Sequence, residues 1–265
     1  MNPMQIKVET NFANVRAAMQ KAASQVPFAA SVALNKTADA ARRDVVDNMR
    51  NVFDRPTPWV LNSLRVKRST KASLVAEVAF KDKNSVESSR SMIEPHVFSG
   101  KRRFKAMEVR LWKAGYLPDG WNAVPGEAAN MDGFGNMSPG QISQLLNVLG
   151  TYTEAGYNKA NERTVARLAK GNVKKNQYGF VYWVNRVGDP KGRHLQPGVY
   201  QRFTTAFGTS LKPVLIFVKR ANYKARLPMY DLVNAAAARE FPGEFDKAFE
   251  QAMATALIKT QGKLF

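Results

Sequence analysis

The chain has two histidines, His96 and His194, and no cysteine. A metal centre would have to bring both histidines together with carboxylates such as Glu94 or Asp189, and no ligand spacing in the chain does so. Gly133-Phe134-Gly135-Asn136 and Gly100-Lys101-Arg102-Arg103 carry glycine next to polar or basic residues. Neither is a phosphate loop, because Lys101 lacks the upstream glycine spacing and the strand before it. No Gly-x-Ser-x-Gly elbow presents a serine nucleophile. Carboxylates are sparse and usually adjoin Lys or Arg, the pattern of solvated pairs. These residue types predict a non-enzyme, with no catalytic residue, metal site or cofactor.

What the chain does carry is positive charge. Forty Lys plus Arg stand against 21 Asp plus Glu, a formal net charge of +19. The excess is blocked: residues 61–115 carry +8 and 158–226 carry +13, whereas 116–157 has no Lys or Arg and a charge of −4. Two basic blocks around an acidic insert imply work beside phosphate or an acidic protein surface. The candidate contacts are Lys101, Arg102 and Arg103, then Lys174 and Lys175, then Lys212, Lys219, Arg220, Lys224 and Arg226. Phe104 and Tyr223 are interleaved with these cations, and a ring can stack on a base while Lys and Arg neutralise phosphate. No helix-turn-helix, zinc finger or ribonucleoprotein signature accompanies them, so sequence-specific readout is not expected.

The elements that must hold these residues follow from periodicity. Phe12, Val15, Met19, Ala22 and Val26 recur at helical spacing; Pro27 ends that helix and opens a second through Val52. Arg65–Ser69 and Ser73–Phe80 read as strands, and Phe104–Ala114 as a helix. Ser138-Pro139-Gly140-Gln141 is a helix start, with serine as cap and proline at the first position. Residues 115–137 are rich in Gly and Pro turns, and 151–177 read as polar, basic connection. Strands return at Gly179–Val187, Gly198–Thr204 and Pro213–Lys219. A helix then opens at Leu227-Pro228 and is kinked or ended at Pro242-Gly243. Phe245, Phe249, Met253 and Leu257 form an apolar stripe beyond it, a candidate subunit interface.

The expected class is α+β: an N-terminal helix pair, a mostly antiparallel β-sheet core, a helical and loop insert, and C-terminal helices. The expected domains are a core from 1–114 and 178–265, with 115–177 as a Gly/Pro-rich insert. A hydrophobic content of 45% supports a packed core. No run approaches eighteen apolar residues, and Met1–Thr10 lacks the basic and apolar regions of a leader. The expectation is a soluble protein with no membrane partner.

Gln25-Val26-Pro27-Phe28-Ala29-Ala30-Ser31-Val32-Ala33-Leu34-Asn35-Lys36-Thr37-Ala38 resembles the N-terminal pattern of the tailed-bacteriophage minor tail protein Z family. The C-terminal segment is similar too: Leu227-Pro228, a helical run, Phe241-Pro242 and a last amphipathic helix. The stretch from Val124-Pro125-Gly126 to Gln141-Ile142 resembles a segment of longer prophage members. About half the chain is covered, by packing and turn patterns without catalytic residues. The resemblance implies a head–tail joining or tail-completion protein, a virion structural subunit forming a ring at the neck through which DNA passes. It implies a homo-oligomeric ring (hexamer or dodecamer), portal- or adaptor-side and tail-side phage partners, and non-specific DNA contact. It also implies residence in the virion neck, after assembly in the host cytoplasm. Residues 100–177 make this chain longer than the short members. The rival reading from charge alone is a sequence-independent nucleic-acid-binding accessory protein.

Overall fold

The computed structural model describes residues 12–81, 89–152, 160–172, 178–205 and 208–261. In chain order it runs α1 (Phe12–Val52), α2 (Pro58–Leu61), β1 (Leu64–Lys67), β2 (Glu77–Phe80), α3 (Ser89–Phe98), α4 (Ala106–Lys113), β3 (Trp121–Pro125) and α5 (Pro139–Val148). Then follow α6 (Glu162–Lys170), β4 (Val181–Asn185), a 3-10 turn (Pro190–Gly192), β5 (Gly198–Thr205), β6 (Gly208–Lys219) and α7 (Met229–Gln261). This is an α+β chain with a helix at each end and antiparallel strands between them. Among the described residues, no helix is long and apolar enough to cross a membrane.

Contacts divide the chain into two units. The first takes Met1–Val52, Leu61–Lys81 and Leu227–Phe265; the second takes Phe53–Val60 and Asp82–Arg226. The expected boundaries at 114 and 178 are not where this division falls. Leu117, Ala123, Met137, Leu145 and Leu146 of the expected insert share one core with the strands that follow, and β3 pairs with β6 along Trp121↔Lys219 to Pro125↔Leu215.

The first unit is a helix pair with a two-stranded sheet. Ion pairs Lys36–Glu244 (2.7 Å) and Asp44–Arg239 (2.8 Å) link α1 and α7. The partner number falls as the α1 number rises, so the two helices run antiparallel. Their buried positions are mostly small: Ala29, Ala33, Ala40 and Ala41 on α1, and Ala236, Ala248 and Ala252 on α7, with Val45 and Met49 as larger fillers. Small side chains let two long helices approach closely over many turns.

α1 and α7 are each continuous through their proline: Pro27 does not end its helix, contrary to the sequence expectation, and at Pro242, where a kink or an end was expected, the helix does not end. A proline removes one N–H and so orphans the carbonyl four residues earlier. Those carbonyls belong to Ala23 and Ala238, both solvent-exposed, where water can satisfy them. Packing of the helix pair outweighs the local cost.

Another face of α1 holds the β1–β2 hairpin. Asn35 accepts from the Ser69 backbone N–H (2.8 Å) and donates to the Ser69 carbonyl (3.2 Å), as a neighbouring strand would. Ser31 and Ser69 hydroxyls meet at 3.1 Å, and Arg42 donates to the Leu64 carbonyl (3.2 Å). Buried backbone groups of the segment after β1 are thereby satisfied by helix side chains.

The second unit centres on a four-stranded antiparallel sheet in the order β3-β6-β5-β4. Leu111 of α4, Leu145 and Leu146 of α5, and Val199, Leu215 and Phe217 of β5 and β6 fill one core. Pro213 lies in the long inner strand β6, a position that normally costs a ladder bond. Here a bulge opposite Val199 and Tyr200 absorbs it. The carbonyls of Pro213 and Val214 are taken by the N–H groups of Ala128 (2.8 Å) and Gly126 (2.9 Å). Gly126 is required for that approach, since a Cβ there would stand 2.5 Å from the Pro213 oxygen.

Candidate functional site

The two principal basic runs lie side by side in the second unit. The Gly100 N–H donates to the Tyr223 carbonyl (3.0 Å) and the Tyr223 N–H donates back to Gly100 (2.8 Å), an isolated antiparallel bridge. Three to four residues further along, the Arg220 guanidinium sits over the Phe104 ring, 4.2 Å from its centroid. Since 100 meets 223 and 104 meets 220, the runs are antiparallel and pinned at two points. Ser99 (φ 65°) and Gly100 (φ 116°) make the sharp exit from α3 that this requires. The Ser99 hydroxyl accepts from the Ala225 N–H (3.0 Å) and steadies the same turn.

This arrangement gathers Lys101, Arg103, Lys219, Arg220 and Lys224 along one edge. Lys101, Arg103, Lys219 and Lys224 are exposed and form no ion pair among the described residues. Arg220 is half-buried; its Nε is shielded and has no hydrogen-bond partner among the described residues, while the ring beneath orients its plane. Arg226 also reaches the edge but is engaged: its Nε donates to His96 Nδ1 (3.2 Å) and its guanidinium covers Phe53 (5.3 Å).

Arg102 does not belong to the edge, which corrects the sequence expectation. It is 8% exposed and forms a two-pronged ion pair with Glu108, Nη1–Oε2 2.7 Å and Nη2–Oε1 2.6 Å. Glu108 is wholly buried and also accepts from the backbone N–H groups of Lys105 (2.7 Å) and Ala123 (2.8 Å) and from Asn122 Nδ2 (3.2 Å). Burial alone would raise the Glu108 pKa, but the Arg102 hydrogen bonds, the two backbone donors and the Arg102 charge hold it below the ordinary carboxylate range. Burial likewise opposes the Arg102 charge, and Glu108 outweighs it, keeping the guanidinium charged. Glu108 thus ties the basic loop to α4 and β3. The sequence showed only a carboxylate near several cations.

Lys212 is also elsewhere. It pairs with Glu127 (3.4 Å) and stands seven residues before Lys219 on β6, about 23 Å away along an extended strand. Lys174 and Lys175 lie outside the described residues. Sequence reasoning missed α6, whose Arg163, Arg167 and Lys170 fall at i, i+4 and i+7 and are all exposed, one basic helix face. Its signals were present: Asn161 caps it, accepting from the Thr164 N–H (2.9 Å), and Gly171 (φ 72°) closes it.

On α7 in the other unit, Phe241, Phe245 and Phe249 stack with successive centroids 6.0 Å apart. Phe245, Phe249 and Met253 are half-buried; the fully buried positions of the helix among the described side chains are Ala236, Ala248 and Ala252. The Leu257 side chain lies outside the described residues. His96 is wedged edge-on between Phe53 and Tyr223, 5.1 Å from each, and His194 is exposed. Among the described residues no three His, Asp or Glu gather as a metal ion would require. No protein-family model, curated protein or solved structure matches this chain.

Proposed function

We propose that this chain is a structural subunit of a tailed-bacteriophage virion, acting at the head–tail interface in a ring through which DNA passes. Its role is geometric and electrostatic, without catalysis. The observation that carries the reading is the antiparallel pinning of the two basic runs, which collects five cations along one edge and, among the described residues, leaves four of them without a carboxylate partner. A further support is that the two terminal segments resembling minor tail protein Z members build one unit, α1 against α7. Residues 100–177, the excess over short members, belong to the other.

Head-to-tail contacts between copies close into a ring when the rotation closes. Each basic edge then recurs around one channel or rim, and repetition multiplies a weak attraction to phosphate. Deleting the gene from the phage or prophage that encodes it tests the reading: DNA-filled heads and separate tails should accumulate. Normal infectious virions from the deletion would refute it. The basic face of α6 favours the rival, an accessory protein binding nucleic acid without sequence preference. Salt-sensitive DNA binding by the monomer, with no defect in particle joining, would select that rival.

A further inference from the structure

A cavity of about 760 Å³ opens in the second unit, apart from the basic edge. Pro139, Ile142, Ser143 and Leu146 line it from one face of α5, at the three- and four-residue spacing that aligns side chains on a helix. Met107 and Arg110 line it from α4, and Ala123 and Leu215 come from strands β3 and β6. Asp132 shapes the loop at the rim, accepting from the N–H groups of Phe134 (2.9 Å) and Asn136 (2.8 Å). This sets Gly135, Asn136 and Met137 along the lining.

Two features define what would fit. Among the described residues the lining has two cations, Lys105 and Arg110, and no carboxylate. Glu108 lies between them in sequence, but its carboxylate is buried and committed to Arg102 and the β3 backbone. The remainder is mainly apolar, with Met92, Met107 and Met137 as adaptable side chains. Arg110 is held over the Tyr152 ring (5.0 Å), and Trp59 stands at the lining while 50% exposed. Trp, Tyr and Arg are the residue types that dominate binding energy in protein interfaces. A half-exposed indole gains its burial only when a partner covers it.

We propose that this groove docks an apolar segment of a partner protein that carries a carboxylate. Its apolar side chains lie along α5 and Met107, and its carboxylate meets Lys105 and Arg110. The proposal is independent of the phage assignment and of the basic edge.

The test uses the full chain and two short fluorescein-labelled peptides. Both have Leu and Phe at i, i+3, i+4 and i+7; one has Glu at the remaining positions and the other Lys. Fluorescence anisotropy should show the acidic peptide binding about tenfold or more tightly than the basic one. Ser143→Tyr fills the groove from an exposed helix position and should abolish binding without changing the circular dichroism spectrum. Lys105→Glu with Arg110→Glu should reverse the preference between the peptides, and this arm serves if Ser143→Tyr fails to fold. Equal binding of both peptides, or undiminished binding by folded Ser143→Tyr, overturns the proposal. Full displacement of the acidic peptide by a medium-chain fatty acid overturns it too, assigning the groove to a small anionic amphiphile.

Discussion

Arg102 and Glu108 hold each other through two hydrogen bonds of 2.7 and 2.6 Å inside the second unit, so one arginine of the basic loop works inward. Removing one partner strands a buried charge. Glu108→Ala should therefore cost about 3–5 kcal/mol, whereas Arg102→Met with Glu108→Leu should cost less, since it strands no charge and loses only the acceptor of the Lys105, Ala123 and Asn122 donors. Urea unfolding curves of the three proteins check the order. Equal losses for the single and double variants would mean that the pair is not desolvated as a unit.

The same carboxylate gives a pH dependence. Its folded pKa lies below the unfolded value, so its contribution is fully present above the unfolded pKa, about 4.3 for Glu. It is lost as pH falls through the folded value, because the unfolded state then binds the extra proton first. Thermal melts from neutral to acidic pH should decline in that window, and the Arg102→Met/Glu108→Leu protein should decline less.

His96 titrates in a separate window. Burial lowers its pKa and the Arg226 charge lowers it further, and its Nδ1 accepts from Arg226. A histidine depressed in the fold contributes fully above its unfolded pKa, about 6.5, and loses that contribution as pH falls towards the folded value. The rings packed edge-on against it are those of Phe53 and Tyr223. His96→Gln should flatten the stability profile between pH 7 and the lower folded pKa, and the imidazole resonances should titrate below the ordinary histidine value. Titration at or above that value would contradict the Arg226 contact.

The α+β class, the cap at Ser138 and strands β5 and β6 were legible because their signals are local. The Ser138 hydroxyl accepts from the Gln141 N–H (3.4 Å), as the Ser-Pro-x-Gln pattern predicts. Strand β3 was not legible: Asn122 and Ala123 carry no β signature, and pairing with β6 and bonding to Glu108 fix it as a strand. Continuity through Pro27 was hidden, and through Pro242 left undecided, for a similar reason, since the α1–α7 packing that overrides a helix breaker joins residues two hundred apart. The cations of the candidate edge were visible as runs, but their sorting depends on tertiary partners. Arg102 and Lys212 are set apart from Lys101 and Lys219 by having Glu108 and Glu127 within reach.

That sorting makes a salt-titration experiment discriminating. If the edge contacts phosphate, Lys219→Gln with Arg220→Gln should reduce the slope of log affinity against log salt by about 1.8, near 0.9 per phosphate contact. Lys212→Gln should leave it unchanged. If the partner is an acidic protein instead, DNA affinity will be negligible and particle assembly will weaken with ionic strength. A double variant that alters neither DNA binding nor assembly would reduce the edge to a solvated face.

The aromatic stack on α7 gives the last prediction. Among the described side chains of that helix the fully buried ones are alanines, and Phe245, Phe249 and Met253 stand only half-covered. Three such side chains in a row retain apolar surface that a second copy of the chain can bury, each contributing on the order of 1 kcal/mol. Because the chain lacks cysteine, a pair introduced at Met253 and on α1 is the only pair that can oxidise. Under mild oxidation, disulfides between copies should appear as a ladder on non-reducing gels, with a yield that rises with protein concentration. Phe245→Ala should suppress that ladder while shifting the melting temperature little. A disulfide confined to one chain at every concentration would place the stack wholly within its own subunit.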